Sequence, residues 1–204
     1  VKEGGAANGY DTRTEGGTDV SPEKQIQIIQ DLIAQKPAAI TVVPNSPEAL
    51  SAVLEQARAQ GIKVVSHEAT GIKNVDVDIE AFDNASYGVD IMKSIGECTG
   101  GTGKYVQFVG GLTAKTHMEW VEAAYDYQQK NFPGMERVET PIESTDNETA
   151  AYEKAKEVLG KYPDIKAFQG SAGNDVPGIA RAIEEAGLSD QVCVMGTSIP
   201  SASA

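Results

Sequence analysis

Three short stretches carry side chains whose types and spacing could do chemistry. In Gly61-Ile62-Lys63-Val64-Val65-Ser66-His67-Glu68 an apolar run ends in a histidine and a carboxylate. A carboxylate just past a buried strand can accept two hydroxyl hydrogen bonds in fixed geometry, which suits a polyol. His67 and Glu68 could alternatively form an acid/base pair or ligate a metal. Adjacent residues at a strand end point to opposite faces, however, so two such side chains rarely meet on one atom. Ligand hydrogen bonding by Glu68 and His67 is the favoured expectation, with a structural role as the alternative.

The second stretch is Leu112-Thr113-Ala114-Lys115-Thr116-His117-Met118-Glu119-Trp120. It lies between an expected strand and a long expected helix, so backbone N–H groups and the positive end of the helix dipole face any cleft there. Thr113, Lys115, Thr116 and His117 are all potential donors, and the competing reading is ordinary N-capping by Thr113 or Thr116. Trp120, a turn further on, reads as core. The third stretch, Gly170-Ser171-Ala172-Gly173-Asn174-Asp175, combines small residues that allow close backbone approach with a cap for the next helix. Capping alone accounts for Asp175, whereas Asn174 could cap or bind.

The expected elements place these groups together. Apolar runs at 39–43, 63–66, 105–109 and 167–168 are each followed at once by a polar cluster, the first being Pro44-Asn45-Ser46. Amphipathic helices are expected between them at 21–35, 47–60, 85–97, 114–132, 148–162 and 176–186. Buried runs separated by such helices predict parallel sheets in an α/β protein, whose ligands sit beyond the carboxyl ends of the strands. Further strands are expected at 10–14, 75–79, 137–142 and 191–195. The βα blocks change over near 81–86, so two lobes are expected, residues 1–83 and 84–204. Gly100-Gly101-Thr102-Gly103 precedes a strand and so reads as a turn, not a phosphate loop. There is no G-x-S-x-G elbow, no H-E-x-x-H and no Walker sequence. No catalytic residue, metal or cofactor is therefore expected.

Composition sets the outer bounds. The 204 residues are 40% apolar, 23% charged and 6% aromatic, with a formal charge of −13. That charge argues against a nucleic-acid partner, which needs clustered lysine and arginine. No apolar stretch approaches the roughly 18 residues that span a bilayer. Cys98 and Cys193 lack a metal-ligand spacing and are expected to be two free packing thiols, or a disulfide if the compartment is oxidising. The chain opens on what reads as the tail of a helix, Val1 to Ala6, and closes on Ser201 to Ala204 straight after a strand and its loop. Both ends read as cut.

The ordered series of segments resembles a known family. S-P-E-K-Q-I-Q-I-I-Q-D-L-I-A-Q-K-P-A-A-I-T-V-V-P-N-S-P-E-A-L, followed by G-I-K-V-V-S-H-E, is similar to the N-terminal lobe of type I periplasmic sugar-binding proteins of ABC importers. T-H-M-E-W-V-E-A-A, N-F-P-G-M-E-R-V, K-Y-P-D-I-K-A-F and V-M-G-T-S-I-P-S extend the likeness. The nearest branch is the rhamnose-binding and autoinducer-2-binding proteins. The resemblance implies two Rossmann-like α/β lobes with parallel sheets flanked by helices, closing over a small sugar, incomplete here at both termini. It implies an ABC permease as partner, a monomer, no membrane insertion, and a periplasmic location or a lipid-anchored extracellular one in a Gram-positive cell. Glu68 stands where that branch has an aspartate that binds ligand hydroxyls, and Thr116 and His117 stand where autoinducer-2 binders carry an Asp-Gln pair. Ser171 and Gly173 occupy the places of a proline and an alanine whose backbone touches that ligand. With Asn45, Thr113, Lys115 and Asn174 these complete the expected binding set. The alternatives are the effector core of a sugar-responsive transcription regulator and a small-molecule enzyme using His67, Glu68 or His117.

Overall fold

The computed structural model describes residues 2–17, 19–199 and 201. The opening Val1 and the closing residues 202–204 of the sequence reading lie outside them. The described chain begins with α1 (Lys2–Ala7), none of whose residues is buried. It continues through α2 (Pro22–Ala34), β1 (Ala39–Val42), α3 (Pro47–Ala59), β2 (Lys63–His67) and β3 (Val77–Ile79). These strands form one parallel sheet in the order β1-β2-β3. Next come α4 (Asn84–Thr99), β4 (Thr102–Val109), α5 (Lys115–Asn131), β5 (Gly134–Arg137), β6 (Ile142–Glu143), α6 (Glu148–Lys161), β7 (Ile165–Gly170), α7 (Asp175–Glu185) and β8 (Cys193–Gly196). Here the sheet order is β5-β4-β7-β8, with β6 also on β4 and every pairing parallel.

The helix starts follow local chemistry. Ser21 and Ser46 each accept a hydrogen bond from the N–H three residues on, and a proline occupies the next position, where its missing N–H costs nothing. Ile29 and Ile33 of α2, with Leu50, Val53, Leu54 and Ala57 of α3, cover Ile40, Val42 and Val64 on one face of the first sheet. The second sheet is covered on both faces. Phe108, Phe168 and Val106 pack against α6 and α7, while Tyr105 and Ala167 pack against α4 and α5. The near-continuous burial along β4 and β7 is what two-sided cover requires. Helices α4 and α5 approach so closely that a Cβ on Gly88 would sit 2.2 Å from the Trp120 carbonyl oxygen. Between sheet and α5 lies a buried polar bridge: Gln107 Nε2 donates to Gln169 Oε1 at 2.8 Å and to the Val121 carbonyl at 2.9 Å, while Arg137 donates to Gln107 Oε1 at 3.0 Å.

Three expectations are corrected. Residues 10–14 form no strand, because among the described residues no strand pairs with them and their one apolar side chain, Tyr10, is exposed. The run expected as a single strand at 137–142 is two short strands on β4. Tyr105 pairs with Arg137 and Phe108 with Ile142, so three steps along β4 face five along the partner, and the surplus, which includes Pro141 with no N–H to donate, loops out. Cys98 and Cys193 are not free thiols but a disulfide, the Cα atoms 6.6 Å apart, because packing brings the end of α4 beside the start of β8.

Candidate functional site

A cleft of about 140 Å³ opens at the carboxyl ends of the strands, between the two sheets. One wall carries Val20, Val43, Pro44, Asn45 and Glu68, and the other Gly110, Gly111, Ala114, Lys115, Thr116, His117 and Asp146. Drug-sized pockets start near roughly 300 Å³, so this space suits a smaller solute. A larger hollow of about 230 Å³ lies between the 139–142 loop and α6, but it holds none of the strand-end polar groups.

Each wall is built by a nearby grip. Gln25 of α2 accepts from the Asn45 N–H at 2.8 Å and donates to the Val43 carbonyl at 2.7 Å, which fixes the turn after β1. Glu68 follows β2 in the left-handed region, φ 56°. Non-glycine residues hold that backbone only where the surroundings over-determine it. Its carboxylate is about one-third exposed, at 35%, and its Oε1 lies 3.5 Å from His67 Nε2. His67 itself turns away, its Nδ1 2.6 Å from the Ile79 carbonyl oxygen, and does not line the cleft.

On the opposite wall the N-cap of α5 is Ala114, which offers no side-chain cap to the first N–H groups of the helix. Thr113 and Thr116 do not cap it. Their hydroxyls donate to the carbonyls of Asn45 at 2.9 Å and of Glu68 at 2.7 Å. Lys115 Nζ stands 4.0 Å from Glu48 and reaches the cleft. His117 Nδ1 accepts from the Gly110 N–H at 3.2 Å, which leaves the proton of the neutral ring on Nε2. Burial holds the His117 imidazole below its ordinary pKa, with the nearby Asp146 charge opposing. Asp146 and its neighbour Thr145 are both left-handed, φ 50° and 56°.

The third stretch supports this wall from behind. Asn174 Nδ2 donates to the Asp146 carbonyl and to Oδ1, at 3.0 and 3.2 Å, so Asn174 fixes the cleft residue instead of lining the cleft. Asp175 does not cap α7: its fully buried Oδ2 accepts from the N–H groups of Ser171 and Ala172, at 3.0 and 2.8 Å, and ties the preceding turn. Desolvation raises the Asp175 pKa, opposed by the Ser144 side chain and by the Ala172 and Ser171 N–H groups. Ser171 is buried and Gly173 faces Ile199, and neither lines the cleft. Of the expected set, the structure therefore brings together Asn45, Glu68, Lys115, Thr116 and His117 on the cleft. Sequence reasoning missed Asp146, whose only signal is a polar Thr-Asp-Asn turn before α6. Among the described residues no three His, Cys, Asp or Glu side chains group as metal ligands.

This geometry can be set beside known proteins. The model of the periplasmic binding protein domain matches residues 1–204. The chain belongs to that family. Its members are binding proteins rather than enzymes. Among solved structures, an ABC transporter solute-binding protein from Clostridium phytofermentas with bound L-rhamnose is similar, with TM-score 0.93 and 23% identity. The alignment covers 98% of this chain and 63% of that one, so the chain spans under two-thirds of this relative's length. A solute-binding protein from Burkholderia graminis C4D1M in complex with D-arabinose gives TM-score 0.86 and 20% identity, over 98% of this chain and 70% of that one. GanP, a glucose-galactose binding protein from Geobacillus stearothermophilus, gives 0.86 and 22%, over 99% and 71%. At these identities the likeness is one of fold: parallel α/β layers in the type I arrangement. No helix among the described residues is long and apolar enough to cross a membrane.

Proposed function

We propose that this chain forms the ligand-capturing part of a solute-binding protein that takes up a small sugar and presents it to an ABC permease. Residues 1–83 and 84–204 act as its two lobes, and the strand-end cleft between them is the sugar site. The observation that carries this reading is the left-handed Glu68, which lines the cleft together with Lys115, His117 and Asp146. Glu68 and Asp146 accept sugar hydroxyls, while Lys115 and His117 Nε2 donate to sugar oxygens. Asn45 completes the ring of polar groups. The disulfide accords with a protein that works outside the cytoplasm.

The sugars those relatives bind name the probes. Calorimetric titration and thermal melting with L-rhamnose, D-arabinose, D-glucose and D-galactose test the proposal. Saturable binding of one of them with a raised melting temperature is expected, since a ligand of the folded state stabilises it by mass action. The absence of any heat or shift up to ~10 mM in all four, which leaves less than about 3 kcal/mol of binding free energy, would sink it.

A further inference from the structure

We propose that Thr113 and Thr116 are positioning residues, a two-point clasp that sets Asn45 and Glu68 from the opposite wall, and that neither hydroxyl donates to the ligand. This rests on the cleft being the sugar site. Thr113 lies in the turn just before α5 and Thr116 in the first turn of α5, so one strand-to-helix junction supplies both. Thr113 Oγ1 donates to the Asn45 carbonyl at 2.9 Å and Thr116 Oγ1 to the Glu68 carbonyl at 2.7 Å. Both acceptors are main-chain oxygens of cleft residues, 68 and 48 positions away in sequence. A hydroxyl has one hydrogen, and in each threonine it is committed.

The Glu68 contact has a particular consequence. The Glu68 carbonyl and the Ala69 N–H belong to one planar peptide unit. Thr116 holds its oxygen, and Glu80 Oε1 accepts from its N–H at 2.9 Å. Glu80 Oε2 in turn accepts from Asn84 Nδ2 at 3.0 Å, and Asn84 Oδ1 accepts from Trp120 Nε1 at 2.8 Å. Trp120 lies one turn beyond Thr116 on α5, and both are buried, at 2% exposure. Helix α5 thus grips both ends of a single peptide unit, directly through Thr116 and by relay through Trp120, Asn84 and Glu80. That unit follows the left-handed Glu68, so its orientation fixes the backbone from which the carboxylate projects. The Glu68 N–H also donates to the Ile79 carbonyl, at a long 3.4 Å.

The test compares Thr116→Val, which keeps the shape and loses the hydroxyl, with Thr116→Ser, which keeps the hydroxyl, and adds Thr113→Val. Without ligand, amide exchange at Ala69 is expected to rise about 2- to 13-fold in Thr116→Val, the factor one net hydrogen bond supplies, with β4 amides unchanged and Thr116→Ser near wild type. In titrations, Thr116→Val and Thr113→Val weaken L-rhamnose and D-arabinose by a common factor, so the ratio of their dissociation constants stays fixed. A ratio shifted more than about tenfold marks a ligand donor and overturns the clasp, as does unchanged Ala69 exchange or a serine variant that behaves like valine. Should neither sugar bind the wild type, the proposed function fails while the exchange measurements still decide the clasp.

Discussion

Removing the Cys98–Cys193 bond offers a quantitative trial of the fold. It joins the last turn of α4 to the first residue of β8 across 95 positions of sequence. In the chain-entropy description a cross-link removes about 2.1 + 1.5R ln n cal/mol/K from the unfolded ensemble; with n near that separation, the bond is worth about 4.7 kcal/mol at 25 °C. Measured disulfides give roughly 2–5 kcal/mol, which sets the expected range. Packing adds little, because Cys98 is exposed and Cys193 only partly buried; one buried methylene, about 0.8 kcal/mol, bounds that share. The assay is urea unfolding of the oxidised protein, of the phosphine-reduced protein, and of Cys98→Ala, Cys193→Ala and the double variant. All four cross-link-free forms should lose about 2–5 kcal/mol together, with a larger m-value because the unfolded chain expands. Equal midpoints for oxidised and reduced protein, or a loss confined to Cys193→Ala, would refute the reasoning and reduce the bond to a packing contact.

Other outcomes follow from single contacts. Glu68→Gln should weaken the sugar that binds by about 10- to 150-fold, the value of a hydrogen bond to a charged group, read by calorimetry; a change below threefold removes Glu68 from the site. Gly88→Ala should cost about 1–3 kcal/mol or more in thermal melts, because its Cβ would lie 2.2 Å from the Trp120 carbonyl oxygen, whereas Gly160→Ala, with nothing within 4 Å, should be neutral or gain up to about 1 kcal/mol. His117 has a depressed folded pKa, so its contribution is present above the unfolded value of about 6.5 and is lost as pH falls through the folded value. Between pH 7.5 and 5.5 the wild type should therefore lose more stability than His117→Gln, by at most about 1.4 kcal/mol per pH unit; parallel curves would exclude His117 as the source.

Local signals in the sequence carry far, and the limit comes where partners are distant. Ser21, Pro22, Ser46 and Gly61 mark helix ends because each satisfies or spares a backbone group within a few residues. The strand ends at Asn45, Glu68 and Gly110 to His117 are likewise legible, since apolar runs stop there. Thr113 and Thr116 are recognisable as donors, but their acceptors lie in the other half of the chain, where spacing says nothing. Asp175 reads as a cap and serves the preceding turn instead, a choice made by the fold of 170–175. Asp146 enters the cleft only through the register of β6 on β4, which the looped-out residues before it obscure. The disulfide, too, depends on which helix ends beside which strand.

The buried bridge of Gln107, Gln169 and Arg137 bears on how the cleft can change shape. One amide links β4 to β7 and, through the Val121 carbonyl, to the middle of α5. Sliding α5 along the sheet would strand buried donors and acceptors, each costing about 1–3 kcal/mol, and the close Gly88 contact blocks the same movement from the α4 side. The α5 wall therefore travels with its sheet as one piece, carrying Lys115, Thr116 and His117 in fixed relation. The two walls themselves are joined by the lighter Thr113–Asn45 and Thr116–Glu68 hydrogen bonds, each worth about 0.5–1.5 kcal/mol, so parting them costs less than remodelling the α5 wall.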